Sequence, residues 1–324
     1  MGRTIRFTNG ADSFVQGSSV NNTEVTLFMR GGNDSVLLDR DDDFGGRNRV
    51  DAGLGADTVR ALDEDGSLIL LGGGADVYIG EGFGSFATER ADTVRGGAGA
   101  DTMVVTTFKS LYMGDGGADR FFSSGQRNDF VGGAGRDSIS YELRDLSDGG
   151  VRIDLASGVV ETGALATESL RSIENATGSN AGDTIFGTDG ANRLTGAEGQ
   201  DFLTGRGGAD VFVWRSAAEG AFDAEVGDVI LDFSQSQGDR IDLSGIDAVA
   251  GGANEAFVFL GSGDFTGQAG QLRFGDREDL GDIDGDGDGD FITLLSGDVD
   301  GDGVADFGIR LLNVGSLNAS DLVL

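Results

Sequence analysis

Residues 178–213 read GSNAGDTIF GTDGANRLT GAEGQDFLT GRGGADVFV, four nonamers placed end to end. The sixth position holds Asp183, Asn192, Asp201 and Asp210, and two places later stand Ile185, Leu194, Leu203 and Phe212. Each nonamer is therefore a turn that ends in an acid or amide, followed by a three-residue strand with one inward apolar side chain. Glycines open the turns and punctuate them: Gly187 and Gly190, Gly196 and Gly199, Gly205 and Gly208. They sit where the backbone needs positive φ.

The first half repeats the phrase at wider intervals. AGLGADTVR carries Gly53, Gly55 and Asp57, and LGGGADVYI carries Gly72, Gly74 and Asp76. GGAGADTMV carries Gly96, Gly97, Gly99 and Asp101. GDGGADRFF carries Gly114, Gly117 and Asp119, and GGAGRDSIS carries Gly132, Gly133, Gly135 and Asp137. A shortened copy, RGGNDSVLL, ends its turn at Asp34. From Asp101 the full motifs recur every 18 residues, and the intervening nonamers keep the strand but lose the turn, with Asn48, Ser67, Asp92, Ser110 and Asn128 in that lapsed phase. Two nonamers then make one coil of about 18 residues, and alternate turns fall on opposite edges of a flattened solenoid. Stacked coils lie about 4.8 Å apart. On that reading Asp57, Asp76, Asp101, Asp119 and Asp137 form a row whose repulsion a hard divalent cation would convert into coordination by carboxylate and carbonyl oxygens. A disordered Gly/Asp linker would not keep one apolar residue in register with each acid.

These nonamers resemble the G-G-x-G-x-D-x-U-x repeat of the repeats-in-toxin proteins, a calcium-binding parallel β-roll. GGAGADTMV, residues 96–104, matches it at every fixed position. The resemblance implies several Ca2+ ions, each held between turns 18 residues apart by Asp side chains and Gly-loop carbonyls. The expected fold is all-β: a first β-roll block over 1–141, a connector over 142–177, a second block over 178–214 and a β-rich C-terminal cap over 215–324. The cap stretch, with GDVILDF, DRIDLSGI, EAFVFLGSG and GQLRF read as longer alternating strands, resembles the C-terminal domain of serralysins, which carries a type I secretion signal. The final Asp321-Leu322-Val323-Leu324 ends as such signals end. That implies passage through type I secretion machinery and a secreted or cell-surface location in a Gram-negative bacterium. The serralysin protease activity is not implied, because its zinc motif requires His and the sequence has none.

Two acidic loops follow D-x-D-x-D-G-x-x-D, with Asp282, Asp284, Asp286 and Asp290 in one and Asp298, Asp300, Asp302 and Asp306 in the other. Three acids at alternate positions converge on one ion when a Gly lets the chain turn back. The second loop resembles a feature of serralysin C-terminal domains, and a solvated acidic hairpin is the plain alternative for both.

Composition narrows function further. The net charge of −33 excludes nucleic acid and anionic membrane surfaces as natural partners. With Cys and His both absent, disulfides, thiolate or imidazole metal sites and Ser-His-Asp arrangements are excluded. No N-terminal leader is visible, and no stretch is apolar enough to span a bilayer. The expectation is a non-enzymatic extracellular calcium-binding protein that contacts polysaccharide or the cell surface. The alternatives are a calcium-dependent polysaccharide lyase or epimerase with an Arg or Lys base, and an ice-binding solenoid. The single lysine, Lys109, and the arginines Arg95 and Arg136 form no evident acid–base cluster, and turn residues Leu54, Ala98 and Ala118 supply no Thr/Asn array.

Overall fold

The computed structural model describes residues 3–16, 24–38, 47–62, 66–82, 91–163, 166–220, 227–251, 255–281 and 289–324. The described residues are all-β apart from two 3-10 turns, Leu146–Asp148 and Ala319–Asp321. The chain forms two compact units, Met1–Asp148 with Ser157–Asn175, and Gly149–Ala156 with Ala176–Leu324.

In the first unit the alternation of apolar and polar residues folds into two parallel sheets. One stacks Arg3–Arg6, Val25–Phe28, Arg49–Leu54, Leu68–Gly73, Thr93–Ala98, Leu111–Gly116, Asp129–Ala134 and Thr167–Arg171. The other stacks Ser13–Gln16, Ser35–Leu38, Thr58–Ala61, Val77–Gly80, Thr102–Val105, Arg120–Ser123 and Ser138–Ser140. Register places like on like. Leu27, Val50, Ile69, Val94, Tyr112, Phe130 and Leu170 pair in succession along one sheet, and Val36, Val59, Tyr78, Met103, Phe121 and Ile139 along the other. All of these are buried, and Tyr112 stacks on Phe130 with ring centroids 5.4 Å apart. The period-2 pattern thus supplies a core one side chain deep from each sheet.

The two edges differ in how the chain crosses them. From Arg49–Leu54 onward the Gly-rich crossings are always three residues long: 55–57, 74–76, 99–101, 117–119 and 135–137. The opposite crossings vary: 39–48 is ten residues, 62–67 six, 81–92 twelve, and 106–110 and 124–128 five each. The 18-residue coil therefore holds from Thr93 to Leu111 to Asp129, while the coils from Arg49 to Leu68 and from Leu68 to Thr93 span 19 and 25 residues. All of the extra length enters on the lapsed edge.

In the second unit Arg152–Asp154, Thr184–Phe186, Phe202–Thr204, Asp228–Ile230 and Phe307–Leu312 form one parallel run. Arg193–Thr195, Val211–Val213, Arg240–Asp242 and the terminal Leu322–Val323 form another. GDVILDF and DRIDLSGI are thus three-residue rungs of these runs and not longer strands. They read as longer because Leu231 and Leu243 extend the apolar pattern past the pairing. Long antiparallel strands do occur at Gln271–Gly281 and Asp290–Asp298, the latter pairing onward with Phe307–Leu312.

Coil stacking makes some glycines irreplaceable. Gly117 has φ +143°, and a Cβ there would stand 1.6 Å from the Gly99 carbonyl oxygen of the adjacent coil. Its neighbour Gly116 is extended, and the nearest atom to an added Cβ is 3.7 Å away. Gly117→Ala is expected to cost about 3 kcal/mol or more, and Gly116→Ala less than about 1 kcal/mol. Urea titration of both variants in one buffer checks this, and equal midpoints would contradict the stacked-turn geometry.

Candidate metal centre

The Gly-rich turn places its acid by two left-handed residues. Gly53 and Gly55, Gly72 and Gly74, Gly97 and Gly99, and Gly133 and Gly135 all have φ between +104° and +150°. Asp115 takes the first of these places before Gly117, at φ +69°. The reversal turns each carboxylate back along the stack, where Oδ1 accepts the backbone N–H of the equivalent residue one coil earlier. The bonds run Asp12 to Asp34, Asp34 to Asp57, Asp57 to Asp76, Asp76 to Asp101, Asp101 to Asp119 and Asp119 to Asp137, at 2.7–2.9 Å. The sequence-predicted aspartates of this edge are therefore brought together as one row, extended downward through Asp34 to Asp12.

The second carboxylate oxygen is different. Oδ2 of Asp34, Asp57, Asp76, Asp101, Asp119 and Asp137 is buried without a hydrogen-bond donor. An ionised oxygen in that position is costly unless something positive meets it. The space beside it shows where that would be. A Cβ on Gly96 would lie 2.3 Å from Asp101 Oδ2 and 2.8 Å from the Gly114 carbonyl oxygen, and one on Gly114 would lie 2.1 Å from Asp119 Oδ2 and 2.7 Å from the Gly132 carbonyl. Each such glycine stands five residues before its acid and leaves open a cradle in which the acid's Oδ2 meets a carbonyl oxygen of the next coil. At Asp34, Asp57 and Asp76 the corresponding residues are Met29, Ala52 and Leu71, whose side chains are fully buried. The row thus has an apolar lower part and an oxygen-lined upper part. The donor set, carboxylate and carbonyl oxygen alone, suits a hard cation.

Burial and stacking act on the carboxyls in the same direction. Burial, reinforced by the neighbouring row carboxylates, raises Asp57 to about 6 and Asp101 to about 7; it raises Asp137 to about 6, with Asp119 and Glu174 adding to it. Asp76 and Asp119 are raised as well, chiefly by burial.

The opposite edge of the same unit is built mostly from neutral groups. The N–H of Asn48 donates to Ser67 Oγ, Ser67 to Asp92 Oδ1, Asp92 to Ser110 Oγ and Ser110 to Asn128 Oδ1, at 2.7–3.1 Å. This zipper links the buried turns without a row of charge, Asp92 being its one aspartate. It ends at Glu168, which accepts bonds from Tyr141 Oη, Ser123 Oγ and Asn128 Nδ2 at 3.0–3.2 Å.

In the second unit acids occupy both edges. Asp183 accepts from Val151 N, Asp201 from Asp183 N and Asp228 from Asp201 N, at 2.5–2.9 Å. Asp210 accepts from Asn192 N and Asp239 from Asp210 N, at 2.7 and 2.9 Å. Oδ2 of Asp201 and Asp210 is again buried without a donor. A Cβ on Gly178 or Gly187 would meet the Asp183 or Asn192 side-chain oxygen together with the Gly196 or Gly205 carbonyl oxygen, whereas one on Gly196 or Gly205 would meet the Asp201 or Asp210 carboxylate. Gly199 and Gly208 have positive φ, whereas Gly187, Gly190, Gly196 and Gly205, expected there from the sequence, do not; Ala197 and Arg206 take left-handed places instead, and Gly190 bonds Thr188 Oγ1 through its N–H. Asp228, raised to about 7 chiefly by burial, also takes the Trp214 indole N–H at 2.7 Å.

Of the acidic loops, Asp298, Asp300 and Asp306 bring carboxylate oxygens within 4.8 Å of one another. Asp302 does not join them, and its Oδ1 caps Val304 N at 2.7 Å. Asp282, Asp284 and Asp286 lie outside the described residues, while Asp290 is buried and accepts from Asn313 Nδ2 at 2.7 Å.

Five members of these rows stand outside the repeat pattern: Asp12, Asp228, Asp239, Glu168 and Glu174. The first three carry a readable signal, an acid followed two residues later by Phe14, Ile230 or Ile241, but without a Gly pair before it. The two glutamates belong to the connector and carry no repeat signal.

A family model described as Peptidase M10 serralysin C terminal matches residues 40–322. No curated protein matches the chain.

The raised carboxyls fix the sign of a pH effect. Asp57, Asp101 and Asp137 hold their protons to about 6–7 in the folded chain but only to about 3.8 when unfolded. Their contribution is fully present below the unfolded value and is lost as pH rises through 6–7. With divalent cations chelated, circular dichroism should report more folded chain at pH 5 than at pH 8, and Asp101→Asn should flatten that dependence. A chelated protein better folded at pH 8 would contradict the assignment.

Proposed function

The chain belongs to the serralysin C-terminal family, and on that premise we propose that it is a secreted calcium-binding β-roll protein that folds on meeting extracellular calcium. The reading rests above all on the buried aspartate oxygens that face glycine carbonyls and have no donor. Calcium takes six to eight oxygen ligands of this kind. Asp101, Asp119, Asp137, Asp201 and Asp210, with the carbonyls of the glycine turns, are the residues that would hold the ions. The rungs at Asp57 and Asp76, with Gly53, Gly55, Gly72 and Gly74, belong to the same row. Asp298, Asp300 and Asp306 would hold a further ion outside it. When bound, calcium supplies positive charge to the row, and the protein's own part is to present the oxygens in register.

Export follows from the family and from the linkage between binding and folding. An ion that binds only the folded chain stabilises it increasingly as its concentration rises. Where free calcium is scarce the row opposes folding, which suits transit through a type I channel. Outside the cell, extracellular-type sites with dissociation constants of about 10⁻⁴–10⁻³ M fill and the chain folds. A polysaccharide or a cell surface is the proposed partner, and no catalysis is proposed. In support of that, two of the groups considered as bases are engaged: Arg95 forms a bidentate pair with Asp115 at 2.9 and 2.6 Å, and the Lys109 ammonium lies 4.9 Å from the Phe108 ring centroid.

Two measurements test the reading. Asp119→Asn keeps a hydrogen-bond acceptor but removes a charge from the cradled row, whereas Asp92→Asn does the same on the opposite edge. The calcium midpoint of folding should rise about fivefold or more for Asp119→Asn and less than about twofold for Asp92→Asn. Equal shifts would sink the assignment of the ions to one edge. Separately, removal of Asp321–Leu324 should abolish export from a host carrying a type I system while the purified variant still binds calcium. Undiminished export would remove the C-terminal signal from the proposal.

A further inference from the structure

Every rung of the acid row in the first unit is completed by the coil above it, and the last rung has no repeat coil above it. Asp137 is fully buried, and its Oδ2 has no donor, as at Asp101 and Asp119. The place of the missing coil is taken by the connector strand Thr167–Arg171, which pairs parallel to Asp129–Ala134. Just past that strand the connector reproduces the turn with unrelated residues. Ser172 takes a left-handed conformation, φ +51°. Its carbonyl oxygen would lie 2.0 Å from a Cβ on Gly132, with Asp137 Oδ2 at 2.5 Å from the same point. Those are the roles of Gly114 and Asp101 at the Gly96 cradle. Glu174 Oε2 then accepts the Asp137 N–H at 2.8 Å, as each row aspartate accepts the N–H below it. The backbone N–H groups of Glu174 and Asn175 close the turn on the Asp137 carbonyl at 3.1 and 3.0 Å.

We infer that Asp137, the Ser172 carbonyl and Glu174 form a terminal divalent-cation site in which the connector replaces a missing repeat. This rests on the calcium reading of the row and adds to it a site with no repeat motif on one side. A second connector glutamate shows that an acid at this level need not be a ligand. Glu168, six residues earlier, ends the opposite edge and is satisfied by Tyr141, Ser123 and Asn128. At Asp137 Oδ2 no donor plays that part. The connector thus closes one edge with hydrogen bonds and the other with an ion.

The two roles open to Glu174, ligand and simple hydrogen-bond cap, predict opposite orders of effect. Glu174→Gln keeps the acceptor for the Asp137 N–H but loses the charge. Glu174→Asp keeps the charge but shortens the reach. Calcium bound per chain, counted by native mass spectrometry and titration calorimetry on the full chain, should fall by one ion for Glu174→Gln. It should stay unchanged for Glu174→Asp, at several-fold weaker affinity for that ion. The exposed connector variant Glu161→Gln serves as control and should match the parent. If Glu174→Gln binds as many ions as the parent with the same affinities, Glu174 is a cap only and the inference fails while the calcium reading stands. If the parent chain itself binds no calcium, both fall.

Discussion

A carboxylate buried one coil above another can satisfy only half of itself with protein. The Asp row gives each Oδ1 the amide of the rung below, leaves each Oδ2 without a donor, and at Asp101, Asp119 and Asp137 sets that oxygen beside a carbonyl oxygen of the next coil. At the spacing of neighbouring strands two such charges repel by about 1 kcal/mol in water, and by about 3–4 kcal/mol at the effective dielectric near a protein surface. Protonation, at the cost of a raised pKa, relieves that repulsion; so does an ion. The uniform three-residue turns, the left-handed glycines and the open cradles at Gly96, Gly114 and Gly132 all serve to keep those oxygens in line.

Much of this is legible in the sequence because a repeat leaves two signals in phase. The apolar residue two places after each acid predicts the inward rows, and Ile185, Leu194, Leu203 and Phe212 are all fully buried. The left-handed turn positions of the first unit, from Asp57 to Asp137, are legible from the Gly pairs except at Asp115, while in the second unit Ala197 and Arg206 take such positions without a glycine. The repeat is silent on everything it does not encode. Glu174 joins the row through the pairing of Thr167–Arg171 on Asp129–Ala134, a contact across some forty residues that no local pattern announces. Asp12, Asp228 and Asp239 lack the glycines, so their place depends on neighbours above and below. The strands in GDVILDF and DRIDLSGI are shorter than they read for a related reason: hydrophobic periodicity does not mark where the ladder ends, and Leu231 and Leu243 still hydrogen-bond to the neighbouring rung past their last paired residues.

The unequal edges show which side of the coil is constrained. On the cradled edge a single added residue would shift an oxygen out of the column, and each crossing from Arg49–Leu54 onward has the same length. On the other edge, Asn, Ser and Asp side chains reach to the next backbone amide from crossings of five to twelve residues. Diversity of sequence and of surface can accumulate there without disturbing the row. Lys109 and Arg127, both placed by the Phe108 ring, lie along that edge and offset a little of the net charge of −33.

The last strand ties the chain's end into its fold. Leu322 and Val323 pair with Ile241 and Asp242, the Leu243 N–H donates to the Val323 carbonyl at 2.8 Å, and Asp321 caps the Asn318 amide at 2.7 Å. A peptide held in this way has its backbone and its Leu322 side chain already committed. It cannot at the same time be gripped as an extended tail by another protein. If these residues are the chain's export address, folding erases the address, and a molecule that has folded outside is invisible to the channel that released it. On that reading directionality would need no separate gatekeeper: the same β-pairing that completes the sheet would make departure irreversible.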